Sequence, residues 1–535
     1  MGTVCEKPKL QKQRTFYEVK EDKQTNQMDI IQDSKTAVKL EFTIENLEKN
    51  QRYQIQARFD DSKIFKTEVV TSHRNIISFN SCYICEYYFE KQQTLWVSLY
   101  KNYQLIKEMP LTLGYIVGSP GSCLKTEIYK PINLIISAES VNNKSYVEVD
   151  FVVDNFNFID LSKDKNKFSY LITSNGRKVY GSESIKWHGK FEKPKIPEAL
   201  IKNGFTITFI DSRGEAIMPK QDTVESFCSP KEEIYVGLNM NGKYIYIYNK
   251  SRLIRNYSLI DYIKNGITIK LTIGIDYTSS NKEPNDPLSL HYLGSGMNDY
   301  EQAIRSCGMV VAYYDYNQMF PVYGFGAVLN GENKPNMCFN VNFQQNPEIY
   351  TIDNVLQEYR NSFNNLILAG PTEFCPIIKK VIENIKREND PLKYHILLIL
   401  TDGIIYDMRE TIDALVECSF LPLSVIIIGI GNDHFQEMIE LDGDDKPLTN
   451  SRGIKRKRDL VQFVPYNRYK YNPTKLAEQV LEEVPRQIIE FYSMNGIYPE
   501  NLRMANIGNM NGQQFQPNFN EMGYASGENN IYNNN

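Results

Sequence analysis

The chain is 535 residues long, 41% hydrophobic and 23% charged, with a formal net charge of −5. Those proportions are ordinary for a soluble globular protein, and the length exceeds what one core serves, pointing to three or four domains. The mildly acidic balance gives no attraction to nucleic acid, so none is expected as a partner, and nine cysteines, mostly scattered, suit a reducing compartment better than a disulfide framework.

Residues 1–35 read as a flexible N-terminus without the apolar stretch of a secretory signal. Gly2 is a candidate for lipidation, with Cys5 as a second acceptor and Lys7, Lys9, Lys12 and Arg14 behind it. Glu6 stands where the myristoylation pattern has Ser or Thr, so a plain terminus is the simpler reading. From 36 to 258 the periodic segments are short and rich in β-branched and aromatic residues: AVKLEFTIENL, RYQIQARFD, TLWVSLYK, SYVEVDFVV, FTITFID, KYIYIYNK. This predicts two antiparallel β-sandwiches, over 36–128 and 131–258, joined at PGSCLKTEIYKP, residues 120–131. Cys82 and Cys85 form a lone C-x-x-C, half of a zinc site, and read as half-buried strand cysteines.

From 259 to 500 continuous apolar strands (IKLTIGID, FPVYGFGA, YHILLILTD, LSVIIIGIG, DLVQFVPY) alternate with segments of helical spacing. That alternation predicts an α/β doubly wound domain around a mostly parallel sheet. Pro485 is expected to bend or divide the last helix, and residues 501–535, rich in Asn and Gly, read as a disordered tail.

Ligands of such sheets collect at the carboxyl ends of strands. GIDYTSSN is one such end and sets Asp276, Thr278 and Ser280 at alternate positions; LLILTDG places Asp402 after a fully apolar strand, and AGPTEF places Thr372 in a turn before a helix. Two carboxylates and three hydroxyls, with no His or Cys among them, are hard oxygen donors that suit Mg²⁺ or Mn²⁺. The simpler alternative is that each caps a turn at a strand end. A partly neutralised ion on this set would leave room for an acidic side chain supplied by a partner protein.

The order D-x-T-x-S, GPT and LTDG resembles the metal-dependent adhesion site of von Willebrand factor A-type domains. The flanks DYIKNG, PLSLHYL, YGFGA, LPLSVIIIGIG, LVQFVPY and EVPRQIIEFY resemble the copine version of that domain. This resemblance implies that Asp276, Thr278, Ser280, Thr372 and Asp402 are metal ligands, direct or through water. It also implies that the two sandwiches are C2-type domains, which in copines bind anionic phospholipid membranes with Ca²⁺.

The aspartates that Ca²⁺ needs are sparse here. In the first sandwich Asp60 and Asp61 are adjacent in a turn and do not fit such a site; the second offers Asp160 and Asp211 as weak calcium candidates, with Lys163, Lys165 and Lys167 opposing a cation. Both are expected to be degenerate. Lys455, Arg456, Lys457 and Arg458 form a basic run that reads as a solvated loop or a patch for acidic lipid. The histidines are dispersed, and no phosphate loop or nucleophile motif occurs, so no enzyme is expected.

The expectation is therefore a copine-like, calcium-dependent phospholipid-binding adaptor, cytoplasmic and recruited peripherally to the plasma membrane or other membranes. It would bring a partner to the membrane through its metal-bearing domain. The alternatives are a calcium-independent protein scaffold and, third, a metal-dependent phosphoryl-transfer enzyme, for which no base or arginine clamp can be placed near Asp402.

Overall fold

A computed structural model describes residues 35–502, apart from 61, 142–144, 155–166, 187–188, 212, 230–233, 241–242 and 444–445. Gly2, Asp160 and the expected tail beyond 502 lie outside the described residues.

The first unit is built from β1 (Thr36–Glu45), β2 (Arg52–Phe59), β3 (Thr94–Lys101), β4 (Gln104–Thr112), helix α1 (Leu113–Gly118), β5 (Cys123–Tyr129) and β6 (Ile132–Ser140). One antiparallel sheet pairs β1 with β6 and β6 with β5; the other runs β2, β3, β4. Alternate residues of each strand face inward. Val38, Leu40, Phe42 and Ile44 of β1 thus share a core with Tyr53 and Ile55 of β2 and with Leu95, Val97 and Leu99 of β3.

The expected joint at 120–131 is not a linker, and the first unit does not end at 128. Residues 123–129 are β5, and β6 pairs with β1 from Val38↔Ser140 to Glu45↔Asn133. The Pro-Gly-Ser stretch is a tight corner, closed by Ser122, whose Oγ donates to the Val117 carbonyl at 2.9 Å. Composition is the same for a linker and for a corner; only the distant strand pairing tells them apart. Cys82 and Cys85 are half-buried free thiols, as expected.

The second unit runs from Tyr146 to Ile254 in short antiparallel sheets, among them β7 (Lys167–Ser174) paired with β8 (Phe205–Asp211). Its aromatic core of Phe151, Phe168, Tyr170, Phe205, Phe209 and Phe227 is separate from the rest of the molecule.

The third unit opens with α2 (Leu259–Lys264), followed by β9 (Thr268–Asp276), α3 (Asp299–Val311), β10 (Met319–Phe325), α4 (Ile352–Ser362), α5 (Cys375–Glu388) and β11 (Lys393–Thr401). It continues with α6 (Met408–Cys418), β12 (Leu423–Gly429), β13 (Val461–Pro465), α7 (Pro473–Leu481) and α8 (Val484–Met494). Pro485 lies in the first turn of α8, as its second residue, and the last helical stretch is divided just before it.

The sheet order is β10-β9-β11-β12-β13, all parallel, with a short antiparallel strand, Phe339–Asn340, at the edge. Both faces are covered. Ile396, Leu398 and Leu400 of β11 enter the core that holds α3, α7 and α8, while Leu397 and Ile399 enter the one that holds α5 and α6. Burial on both sides is why the middle of β11, residues 396–400, is apolar at every position rather than at alternate ones.

The first of these cores is continuous with the core of the first β-unit. Just beyond α3, the Tyr314 hydroxyl meets that of Tyr87 at 2.5 Å, and its ring lies 4.6 Å from that of Phe89. Lys264 of α2 reaches Glu139 of β6 at 2.8 Å. Among the described residues no helix is long and apolar enough to cross a membrane.

Candidate metal centre

β9 and β11 are neighbours in register, Ile275 opposite Leu400, so Asp276 and Asp402 leave the sheet side by side. From β9 the chain crosses to β10 on one side and returns to β11 on the other. The two carboxylates therefore stand at the switch point of the sheet, where the diverging connections leave a crevice.

Asp276 is fully buried. Its Oδ1 accepts from the Thr278 amide at 2.8 Å and the Thr278 hydroxyl at 2.6 Å, and its Oδ2 accepts from Thr401 Oγ1 at 2.6 Å. Thr278 Oγ1 lies 2.9 Å from Ser280 Oγ, which donates to Asp402 Oδ1 at 2.9 Å. Each hydroxyl thus donates to its own acid, and the two hydroxyl oxygens stand in contact between the carboxylates. Thr372 borders the same space: a methyl group on Gly403 would stand 3.6 Å from Thr372 Oγ1 and 3.8 Å from Ser280 Oγ. The Thr372 loop is fixed to the loop after Asp402. The Tyr406 amide donates to the Thr372 carbonyl at 2.9 Å, and Asp407 accepts from the Phe374 and Cys375 amides at the start of α5 at 3.0 and 2.7 Å. All five expected side chains are brought together.

Burial pushes the Asp276 carboxyl above its usual range, opposed by the hydrogen bonds from Thr278 and Thr401. Burial, and then the charge of Asp276, push Asp402 up to about 7. Among the described residues no Lys or Arg is paired with either carboxylate. Two adjacent acids without a counter-charge, ringed by hydroxyls, fit a hard divalent cation by donor chemistry. No group of three or more His, Cys, Asp or Glu side chains placed to hold a metal occurs among the described residues. An ion held on these two acids would take the rest of its side-chain donors from the hydroxyls.

Sequence reasoning missed the supporting layer. Asn281, fully buried, donates to Asp402 Oδ1 at 3.0 Å and accepts at its Oδ1 from the Tyr300 hydroxyl at 2.8 Å. His291, also fully buried, lies 2.9 Å through Nε2 from the Asp276 carbonyl and 2.7 Å through Nδ1 from the Tyr359 hydroxyl. A carbonyl only accepts, so Nε2 carries the hydrogen. Burial lowers the His291 pKa to about 3, so the ring is neutral. The signal for Asn281 was its place at the end of the D-x-T-x-S stretch; nothing local marked His291 or Thr401.

The other expected sites fare differently. Asp211 is drawn into its own turn, accepting from the Arg213 and Glu215 amides at 2.9 Å each, and it pairs with the Arg213 guanidinium at 3.0 Å. Arg213 also binds Glu215 at 2.9 Å, so a side-chain cation already sits between the two acids. The basic run is only partly solvated. Arg458 is buried and donates to the Leu421 and Leu423 carbonyls at 2.8 and 2.6 Å, and Arg456 donates to the Asp442 and Gly443 carbonyls. Only Lys455 and Lys457 of the four are exposed. The strand and helix ends they serve have carbonyls without ladder partners, and arginine's fork satisfies them.

A family model described as Copine matches residues 289–500, which include Thr372 and Asp402. The chain is also 31% identical over 500 residues to Copine-D of Dictyostelium discoideum, covering 84% of this chain and 92% of that protein. The chain belongs to the copine family. Two solved structures are also similar to this copine chain. The calcium-bound tandem C2 domains of extended synaptotagmin 2 match at 10% identity and TM-score 0.19, over 41% of this chain and 96% of that one. The manganese-loaded TRAP protein of Plasmodium vivax matches at 13% identity and TM-score 0.27, over 42% and 74%. Both scores are too low to bear on fold or on binding.

Proposed function

We propose that this copine is a non-enzymatic adaptor that attaches peripherally to anionic phospholipid membranes. Its third unit, read as a von Willebrand A-type domain, holds Mg²⁺ or Mn²⁺ on Asp276, Thr278, Ser280, Thr372 and Asp402 and takes an acidic side chain from a partner protein. The observation that carries the metal reading is the pair of adjacent, uncompensated carboxylates with the Thr278 and Ser280 hydroxyl oxygens in contact between them. The bound ion would supply positive charge; the chain's own residues orient the acids. Calorimetric titration with Mn²⁺ tests it: the wild-type protein binds one ion, and Asp276→Asn does not. Equal binding by both would sink the assignment.

The membrane half of the reading is supported by family membership and by the two antiparallel β-units, read as C2-type. Its calcium dependence has less support, because Arg213 takes the place a cation would have beside Asp211. This favours a second reading, calcium-independent attachment. Co-sedimentation with phosphatidylserine vesicles, in micromolar Ca²⁺ and in chelator, separates the two. Pelleting only with Ca²⁺ restores the first; equal pelleting supports the second; none in either removes the membrane from the proposal.

A further inference from the structure

Asn281 is the residue on which the two halves of the centre meet from below. Its side chain has no exposure to solvent. Its Nδ2 reaches Asp402 Oδ1 at 3.0 Å and the Thr278 carbonyl at 3.2 Å, and its Oδ1 accepts from Tyr300 at 2.8 Å. Its own carbonyl accepts from the Leu290 amide at 3.0 Å and from Ser289 Oγ at 2.9 Å. The orientation of the amide follows from these partners: Asp402, when ionised, and the Thr278 carbonyl only accept, so the nitrogen faces them and the oxygen faces the phenol. Tyr300 lies in the first turn of α3 and is itself fully buried. The phenol therefore holds the amide, and the amide holds a carboxylate.

Asp402 needs such a hold. Its other neighbour, Ser280, is one of the expected ligands, so its hydroxyl is not free to fix the carboxylate once it turns to an ion. Asn281 is not among those ligands. A hydrogen bond from a buried neutral donor also favours the charged carboxylate without adding competing positive charge. We propose that Asn281, locked by Tyr300, is a positioning residue that sets the Asp402 carboxylate for divalent-cation binding. The inference rests on the metal reading above. The Tyr300 hydroxyl acts only through Asn281, and this dependence distinguishes a relay from two unrelated structural contacts.

The test is a double-mutant cycle on the full chain, read as Mn²⁺ affinity by electron paramagnetic resonance, with melting of the metal-free proteins as a separate check of folding. Asn281→Ala weakens Mn²⁺ binding roughly 10- to 100-fold, the range for outer partners of metal ligands. Tyr300→Phe weakens it by less, and the double variant is no weaker than Asn281→Ala alone. Unrelated contacts would instead lose affinity additively, and that outcome overturns the relay. Wild-type affinity in a folded Asn281→Ala, while Asp276→Asn no longer binds, overturns this inference and leaves the metal reading standing. Wild-type affinity in Asp276→Asn overturns both. If Asn281→Ala does not fold, Tyr300→Phe decides, since it keeps the ring and removes one hydroxyl: unchanged affinity there overturns the proposal.

Discussion

Gly118 lies so close to the backbone carbonyl of Tyr313 that a methyl group on its Cα would stand 2.0 Å from that oxygen. The end of α1, in the first β-unit, thus packs backbone to backbone on the segment that follows α3, beside the buried Tyr87–Tyr314 pair. Gly118→Ala must push the two units apart or distort one of them. The expected loss is about 1–3 kcal/mol, the usual cost of forcing a group into a packed site. Urea unfolding checks it against Gly296→Ala, where a methyl group meets nothing within 4 Å and no loss is expected.

Asp276→Asn should leave the metal-free protein at least as stable as wild type, because it removes a buried charge that has no cationic partner. The response to metal should differ sharply. Mn²⁺ at a hundred times its Kd adds about 2.7 kcal/mol to a protein that binds it only when folded. Unfolding curves with and without Mn²⁺ should separate for wild type and coincide for Asp276→Asn.

His395, buried in β11, gives a pH dependence of defined sign. Burial lowers its pKa from 6.5 to about 4 in the folded chain. Between those values the unfolded chain holds a proton that the folded chain refuses, so stability falls as the pH drops through this window and the loss is complete below about 4. At pH 5 the term is roughly 2 kcal/mol. His395→Gln should flatten the slope by this amount in denaturation series from pH 7 to 5. His291 keeps a similar contribution in that variant.

Arg458 should matter to stability and not to membranes. Its guanidinium serves two strand-end carbonyls and lies 5.3 Å from the Phe491 ring centre. Arg458→Ala is expected to cost about 2–4 kcal/mol, because the Leu423 carbonyl loses its donor and the packing beside Phe491 is lost. Lys455→Ala with Lys457→Ala should stay within about 0.5 kcal/mol of wild type. Denaturation curves beside vesicle binding of the folded fraction check both halves.

The contrast between these arginines and the strands shows what the chain discloses about itself. β11 was legible because a strand covered on both faces is apolar without alternation along its middle, and Asp402 just past its end, like Asp276 at the last position of β9, marks where the crevice opens. Of their hydroxyl partners, Thr278 and Ser280 were legible by spacing. The inward turn of Arg458 was not, because it depends on which carbonyls lie across the fold. The same holds for the neutral ring of His291 and for the corner at 120–122, which looked like a linker until β6 was seen beside β1. Local pattern carries solvent exposure and period; it does not carry the partner of a lone buried polar group.

Helix α3 has one further consequence. Its first turn holds Tyr300, which touches Asn281, and the residues just past its end hold Tyr314, which touches Tyr87. Thirteen residues of α-helix make a rod of about 20 Å. Wedged at both ends among close-packed side chains, such a rod cannot slide at one end alone. The crevice and the first β-unit therefore share one mechanical reference, like two instruments bolted to the same beam.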